Sequence, residues 1–201
     1  MDNIDSQIEI KLGIPEELRK QAAIICYEGF RSQIEWLIGS QQKGVALLEA
    51  SFNAELGLTA LMQGQLVGFI GLKYENRPFF QFERSHCIRE LGLIRGLLAF
   101  LLLNNISLVK PLSNEVYIAV LVVDASMRGK GIGSLLMQAA FEIAQQNQCT
   151  AVVLDVANTN SDARRLYERL SFKPVRTIKF RYLPKWISSG ITIMRKELIS
   201  S

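Results

Sequence analysis

Apolar residues along this chain alternate between two spacings, one suited to strands and one to helices. Ile8–Leu12 alternates and predicts a short strand. Pro15 and Glu16 then open a predicted helix to about Ile38, with Leu18, Ala22, Ile25, Gly29 and Trp36 near one face. Gly39–Ser40 breaks it, and a shorter helix is expected over Gln42–Phe52. Leu58–Met62 and Leu66–Lys73 read as strands of a hairpin turned at Gln63–Gly64. Glu115–Val123, EVYIAVLVV, is a nearly continuous apolar run, the mark of a strand buried on both faces. Ile132, Leu135, Leu136, Ala139, Ala140 and Ile143 then form one helical stripe, and Thr150–Val156 is the next buried strand. Residues 115–156 therefore predict a strand–helix–strand unit with parallel strands. Asn158–Asp162 supplies capping residues for another helix, on which Ala163, Leu166, Tyr167 and Leu170 share a face. Val175–Phe180 and Ile191–Lys196 complete the sheet.

Tyr74–Ser113 interrupts this order and reads as an inserted connection that carries a helix of its own. Its apolar part, Leu91–Leu103, is thirteen residues long and contains Arg95 and two glycines, Gly92 and Gly96. A membrane-spanning helix needs about 20 apolar residues, so no span is expected. A buried or interface helix is expected instead, with membrane-surface contact as the alternative. The pattern predicts a single α/β domain over residues 1–201. Its mixed central sheet has about six to seven strands flanked by helices, with a helical insertion (about 75–113) between the third and fourth strands.

At 201 residues, with 49% hydrophobic and 21% charged residues, the chain is an ordinary globular protein without a long disordered tract. Its charge of +4 is uneven. Between Ser161 and Arg181 seven cations (Arg164, Arg165, Arg169, Lys173, Arg176, Lys179, Arg181) face only Asp162 and Glu168. Such a cluster suits a solvated helix face or a polyanionic ligand. Cys26, Cys87 and Cys149 have neither disulfide nor metal-ligand spacing, and His86 is the only histidine. No metal site or Ser-His-Asp triad is expected. The polar start, MDNIDSQIEIK, lacks a signal-peptide core, and a cytoplasmic location is expected.

The chemistry points to Met127–Ser134, MRGKGIGS, between the buried strand and the amphipathic helix. The first N–H groups of a helix lack internal partners and sit at the positive end of its dipole, so they attract anions. Glycines allow close backbone approach, and Arg128 and Lys130 add charge. The Gly-x-x-x-x-Gly-Lys-Ser/Thr of a P-loop is absent. A dinucleotide fingerprint nearly fits at Gly129-x-Gly131-x-x-Ser134, with Asp155 downstream. Serine replaces its third glycine, the loop starts late, and only 46 residues follow Asp155.

Arg128-Gly129-Lys130-Gly131-Ile132-Gly133 fits Arg-x-x-Gly-x-Gly better and resembles the acetyl-CoA signature of the GNAT superfamily of N-acetyltransferases. Downstream, Asn160-x-x-Ala163-x-x-x-Tyr167-x-x-x-Ser171-Phe172 is similar to that family's Asn-x-x-Ala-x-x-x-Tyr-x-x-x-Gly-Phe, with Ser171 replacing the usual glycine. The resemblance is strongest over about 115–180. It implies acetyl-CoA as acetyl donor, a primary amine as acceptor and direct attack on the thioester. It implies a loop of Arg128, Gly129, Lys130, Gly131, Ile132, Gly133 and Ser134 around the pyrophosphate, and the strand end Leu121, Val122 and Val123 along the pantetheine arm. Asn160 and Ala163 would lie on the cofactor side, and Tyr167 would protonate the leaving thiolate; Tyr167 could instead be a core residue. The base stays open between Asp155, Glu115 and a group acting through water, and Asp155 could instead cap a loop.

Acceptor specificity in the resembled superfamily maps to Phe30–Trp36, the 74–113 insertion and Phe180–Gly190. Arg181-Tyr182-Leu183-Pro184 loosely resembles the aromatic loop of protein N-terminal acetyltransferases, so a small amine and a peptide amine both stay open, as does a homodimer. Two other classes compete. One is a catalytically silent acetyl-CoA-binding regulator. The other is a basic nucleic-acid-binding module, against which the lack of interleaved aromatics at 161–181 counts; no nucleic-acid partner is expected.

Overall fold

The computed structural model describes residues 7–75, 77–105, 109–180 and 189–198. Among these residues seven strands form one sheet: β1 (Ile8–Leu12), β2 (Gly57–Met62), β3 (Gln65–Lys73), β4 (Glu115–Val123), β5 (Ala151–Ala157), β6 (Lys173–Lys179) and β7 (Gly190–Glu197). Their order is β1-β2-β3-β4-β5-β7-β6. Among the described residues only β4 and β5 pair in parallel, joined by α6 (Ile132–Gln146) as the strand–helix–strand pattern requires. The mixed sheet between helices is the expected fold class.

Helices cover both faces. On one, α6 and α7 (Ser161–Arg169) bury Leu136, Met137, Ala140 and Tyr167 against Ile70, Val116, Ile118, Val152 and Leu154. On the other, α1 (Arg19–Gly29) and α3 (Gln41–Ser51) pack Ala22, Cys26, Tyr27 and Leu48 against Phe69, Val120 and Val122. The single helix expected over 16–38 is divided: a 3-10 turn over Glu16–Leu18 leads into α1, and α2 (Arg31–Ile38) follows. The break is at Phe30, with φ −124° and ψ 24°. A Cβ on neighbouring Gly29 would lie 2.8 Å from Val122 Cγ2, so the chain turns where α1 presses on the sheet. Apolar periodicity continues through that turn and conceals it.

The insertion also holds two helices where one was expected, α4 (Arg84–Leu91) and α5 (Leu93–Asn105). Gly92 between them has φ +80°, a left-handed conformation open to glycine. A Cβ on Gly96 would fall 2.5 Å from Cys87 O and Ile88 Cα, so the two backbones touch. Asn104 Nδ2 donates to Phe82 O at 3.0 Å and ties the end of α5 back to the start of the insertion.

The central strands carry an irregularity that shapes everything above them. Leu72 pairs with Ile118 but Gly71 pairs with Val120, so Ala119 is an extra residue, a β-bulge. Accordingly Val116 and Ile118 face α6, whereas Val120 and Val122 face α1. Pairing of β4 with β5 runs from Glu115↔Ala151 to Ile118↔Leu154 and stops. Beyond that point the two strands part.

Candidate active site

Because the strands part at Ile118 and Leu154, the β5-facing edge of residues 119–123 has no strand partner among the described residues. Backbone N–H and C=O groups along such an edge accept an extended, amide-bearing chain as another strand would. Above it, Asp124 Oδ1 accepts from Ser126 N at 2.9 Å and caps a short 3-10 turn over Ala125–Met127. Arg128 Nε donates to Val123 O at 3.1 Å, fastening the loop to the strand end.

Gly129 and Gly131 both lie in the left-handed region, at φ +76° and +83°. A Cβ on Gly129 would meet nothing within 4 Å, so this side of the loop is open. Gly131 is the N-cap of α6, and buried Ile132 anchors the first turn in the core. A Cβ on Gly133 would come 3.3 Å from Leu166 Cδ2 and 4.0 Å from Val123 Cγ2, bringing the helix start, β4 and α7 together. N–H groups at a helix N-terminus flanked by Arg128 and Lys130 are the donors a pyrophosphate requires. The open strand edge beside them suits a pantetheine arm, so coenzyme A fits these residues.

At the bottom of the opening, three side chains converge. Tyr117 pairs with Val153 across β4–β5, which puts Asp155 two residues further along the same face. The Tyr117 hydroxyl donates to Asp155 Oδ1. Burial raises the Asp155 carboxyl above the usual carboxylate range, and the Tyr117 hydrogen bond only partly offsets this. Burial pushes the Tyr167 hydroxyl up to about 12, with the Asp155 charge adding to the shift. Tyr117 is raised by burial, by Asp155 and, less, by Tyr167, so all three groups are within electrostatic reach.

Asn160 caps α7, its Oδ1 accepting from Ala163 N at 3.1 Å. At the other end of that helix Ser171 has φ +67°, with Ser171 N bonded to Glu168 O and Phe172 N to Tyr167 O. This is the left-handed helix end that glycine usually occupies. Both caps fix α7 and hence Tyr167, which is 7% exposed and packed on Phe172.

Glu115 is not part of this group. It stands at the first residue of β4, about 25 Å along the strand from Val123. There it is 4% exposed, with Oε1 2.9 Å from Arg195 and Oε2 accepting from Leu112 N at 2.8 Å. Tyr117 escaped the sequence reading. It is the one residue with a polar tip inside an aliphatic run, but its pairing with Asp155 depends on interstrand register. The described members of the basic cluster are exposed; on α7, Arg164 pairs with Glu168 at 2.9 Å and Arg165 pairs with Asp162. Arg181–Pro184 lies outside the described residues. Among the described residues no His, Cys, Asp and Glu group could hold a metal ion, and no helix is long and apolar enough to cross a membrane.

Known proteins share part of this chain's sequence and its fold. N-alpha-acetyltransferase 30 of Xenopus laevis is 34% identical over 89 residues, 44% of this chain and 31% of that protein. The chain thus spans about a third of that relative's length. Among solved structures, an N-acetyltransferase from Staphylococcus aureus Mu50 has a TM-score of 0.65 at 15% identity, covering 94% of this chain and 100% of that one. The NatC complex bound to Gag peptide and CoA has a TM-score of 0.55 at 18% identity, covering 96% and 99%. Residues 25–172, from within α1 to just past the Tyr167 helix, match the acetyltransferase (GNAT) family, and the chain belongs to that family.

Proposed function

We propose that this chain transfers the acetyl group of acetyl-CoA to the α-amine of a peptide, with Tyr167, Asp155 and Tyr117 as its working side chains. The observation that carries the reading is the parting of β4 from β5 between the glycine loop and these three residues. When bound, the coenzyme supplies an acetyl group activated as a thioester. The loop from Arg128 to Ser134 holds the pyrophosphate, and the edge of Leu121–Val123 aligns the pantetheine arm. This positioning replaces a bimolecular encounter with an oriented one.

The α-amine attacks once its ammonium form has released a proton to solvent, and the bond it forms to the acetyl carbon leaves its nitrogen cationic with a further proton to lose. Asp155, whose basicity burial raises, receives that proton directly or through water, while the Tyr117 hydroxyl holds the carboxylate in place. Tyr167 stays protonated at neutral pH because its pKa is pushed up to about 12, and its hydroxyl delivers a proton to the departing sulfur. The resulting tyrosinate is reprotonated from the nearby Asp155. From the neutral amine onward the net movement is one proton from nitrogen to sulfur, and both side chains return to their starting state.

A peptide acceptor is favoured by the relatives. N-alpha-acetyltransferase 30 of Xenopus laevis is named for α-amine acetylation, and the NatC complex with a bound peptide shares the fold. The test measures thiol release from acetyl-CoA with unblocked peptides, N-terminally blocked lysine peptides and small amines. Turnover confined to free α-amines is expected. Turnover of polyamines or aminoglycosides alone would overturn the acceptor, and a calorimetric titration without coenzyme A binding would overturn the whole reading.

A further inference from the structure

We propose that α5 is a docking element for an anionic lipid bilayer surface. Twelve large hydrophobic residues are exposed among those described, and six of them lie on this one thirteen-residue helix. Leu93, Ile94, Leu97, Leu98 and Leu102 are 69%, 81%, 41%, 54% and 39% exposed. At 100° per residue they fall on one half of the helix, opposite buried Gly96 and Ala99.

This face belongs to a rigid part of the molecule. Gly96 packs backbone to backbone on α4, and Cys87 with Phe100 joins Ile38 and Leu47 of α2 and α3 in a buried cluster. The apolar half is therefore held outward by the fold.

The chemistry of the face selects its occupant. A stable protein interface takes on the order of 800 Å² per partner and about one hydrogen bond per 100–200 Å². One face of a helix this short offers on the order of a few hundred Å², and leucine and isoleucine side chains carry no hydrogen-bonding group. Lipid tails require neither shape complementarity nor hydrogen bonds. Charge agrees: Leu91–Asn114 contains no acidic residue but has Arg95 and Lys110, and the whole chain is +4. Arg95, on α5 at the flank of this face, is placed to pair with anionic headgroups while the apolar side chains enter the acyl boundary. At about 20 Å, α5 is too short to span and would lie in the interface plane.

The test is flotation of the full chain with vesicles of phosphatidylcholine containing about one-third phosphatidylglycerol, against the Ile94→Glu/Leu98→Glu variant. Binding by the wild type and a loss of about 100-fold or more in the variant are expected, with unchanged thermal melting and coenzyme A affinity. A Leu98→Trp variant should show blue-shifted emission quenched by brominated acyl chains. No wild-type binding, or equal binding by the glutamate variant, would overturn the proposal. So would a concentration-dependent dimer abolished by the same substitutions without vesicle binding, which would assign the face to a second copy of the chain.

Discussion

Asp155→Asn separates the chemistry proposed for this residue from its packing. Asparagine keeps the volume and an oxygen that can accept from the Tyr117 hydroxyl, but it removes the carboxylate. A positioned base contributes about 10²–10⁴-fold to rate. Burial raises the basicity of Asp155, which places the expected fall in kcat/KM near 10³-fold, or about 4 kcal/mol of barrier. Stability should move the other way. Because the folded-state pKa of Asp155 is raised, its contribution to stability is fully present below the unfolded value of about 3.9 and is lost as pH rises through the folded value. Above that folded value the wild type therefore holds a buried charge that the variant lacks. The variant should melt at or above the wild-type temperature there, and the difference should vanish as pH falls toward about 4. Thiol release under saturating acetyl-CoA, calorimetry with coenzyme A and melting across pH measure these effects. A variant within about threefold of wild-type kcat/KM would refute the assignment of Asp155 as base. A loss of melting temperature together with coenzyme binding would refute the separation of chemistry from packing.

Tyr167→Phe should lower kcat by about 10²-fold with little change in coenzyme A affinity, and the wild-type rate should show no basic limb from this residue below about pH 11, since its pKa is pushed up to about 12. Glu115→Gln should cost about 1–3 kcal/mol in urea unfolding, because it weakens a buried contact to Arg195, while activity per folded molecule stays within about threefold. Gly131→Ala forces a Cβ into a left-handed backbone at the start of α6, and coenzyme A affinity should fall about tenfold by calorimetry. Ser171→Gly relieves the same conformation at the end of α7 and should raise unfolding stability by about 0.5–1 kcal/mol without altering kcat.

Local signals survive in a sequence because they act over a few residues. Strand β4 reads directly from its apolar run, and α6 reads from its stripe and the glycines at its start. The left-handed backbone at Ser171 follows from the motif that usually places glycine there. Those local signals were enough to point to the donor. The division of the first helix at Phe30 and of the insertion at Gly92 was not legible, since apolar spacing runs through both turns. The site itself required tertiary structure. An extra residue at Ala119 changes which side of β4 faces which helices, and the interstrand register sets Tyr117 beside Asp155 while leaving Glu115 at the far end. Both are relations between segments more than thirty residues apart. Composition and spacing record what each segment prefers; only packing decides which segments meet, at what offset, and where two strands part to admit a ligand.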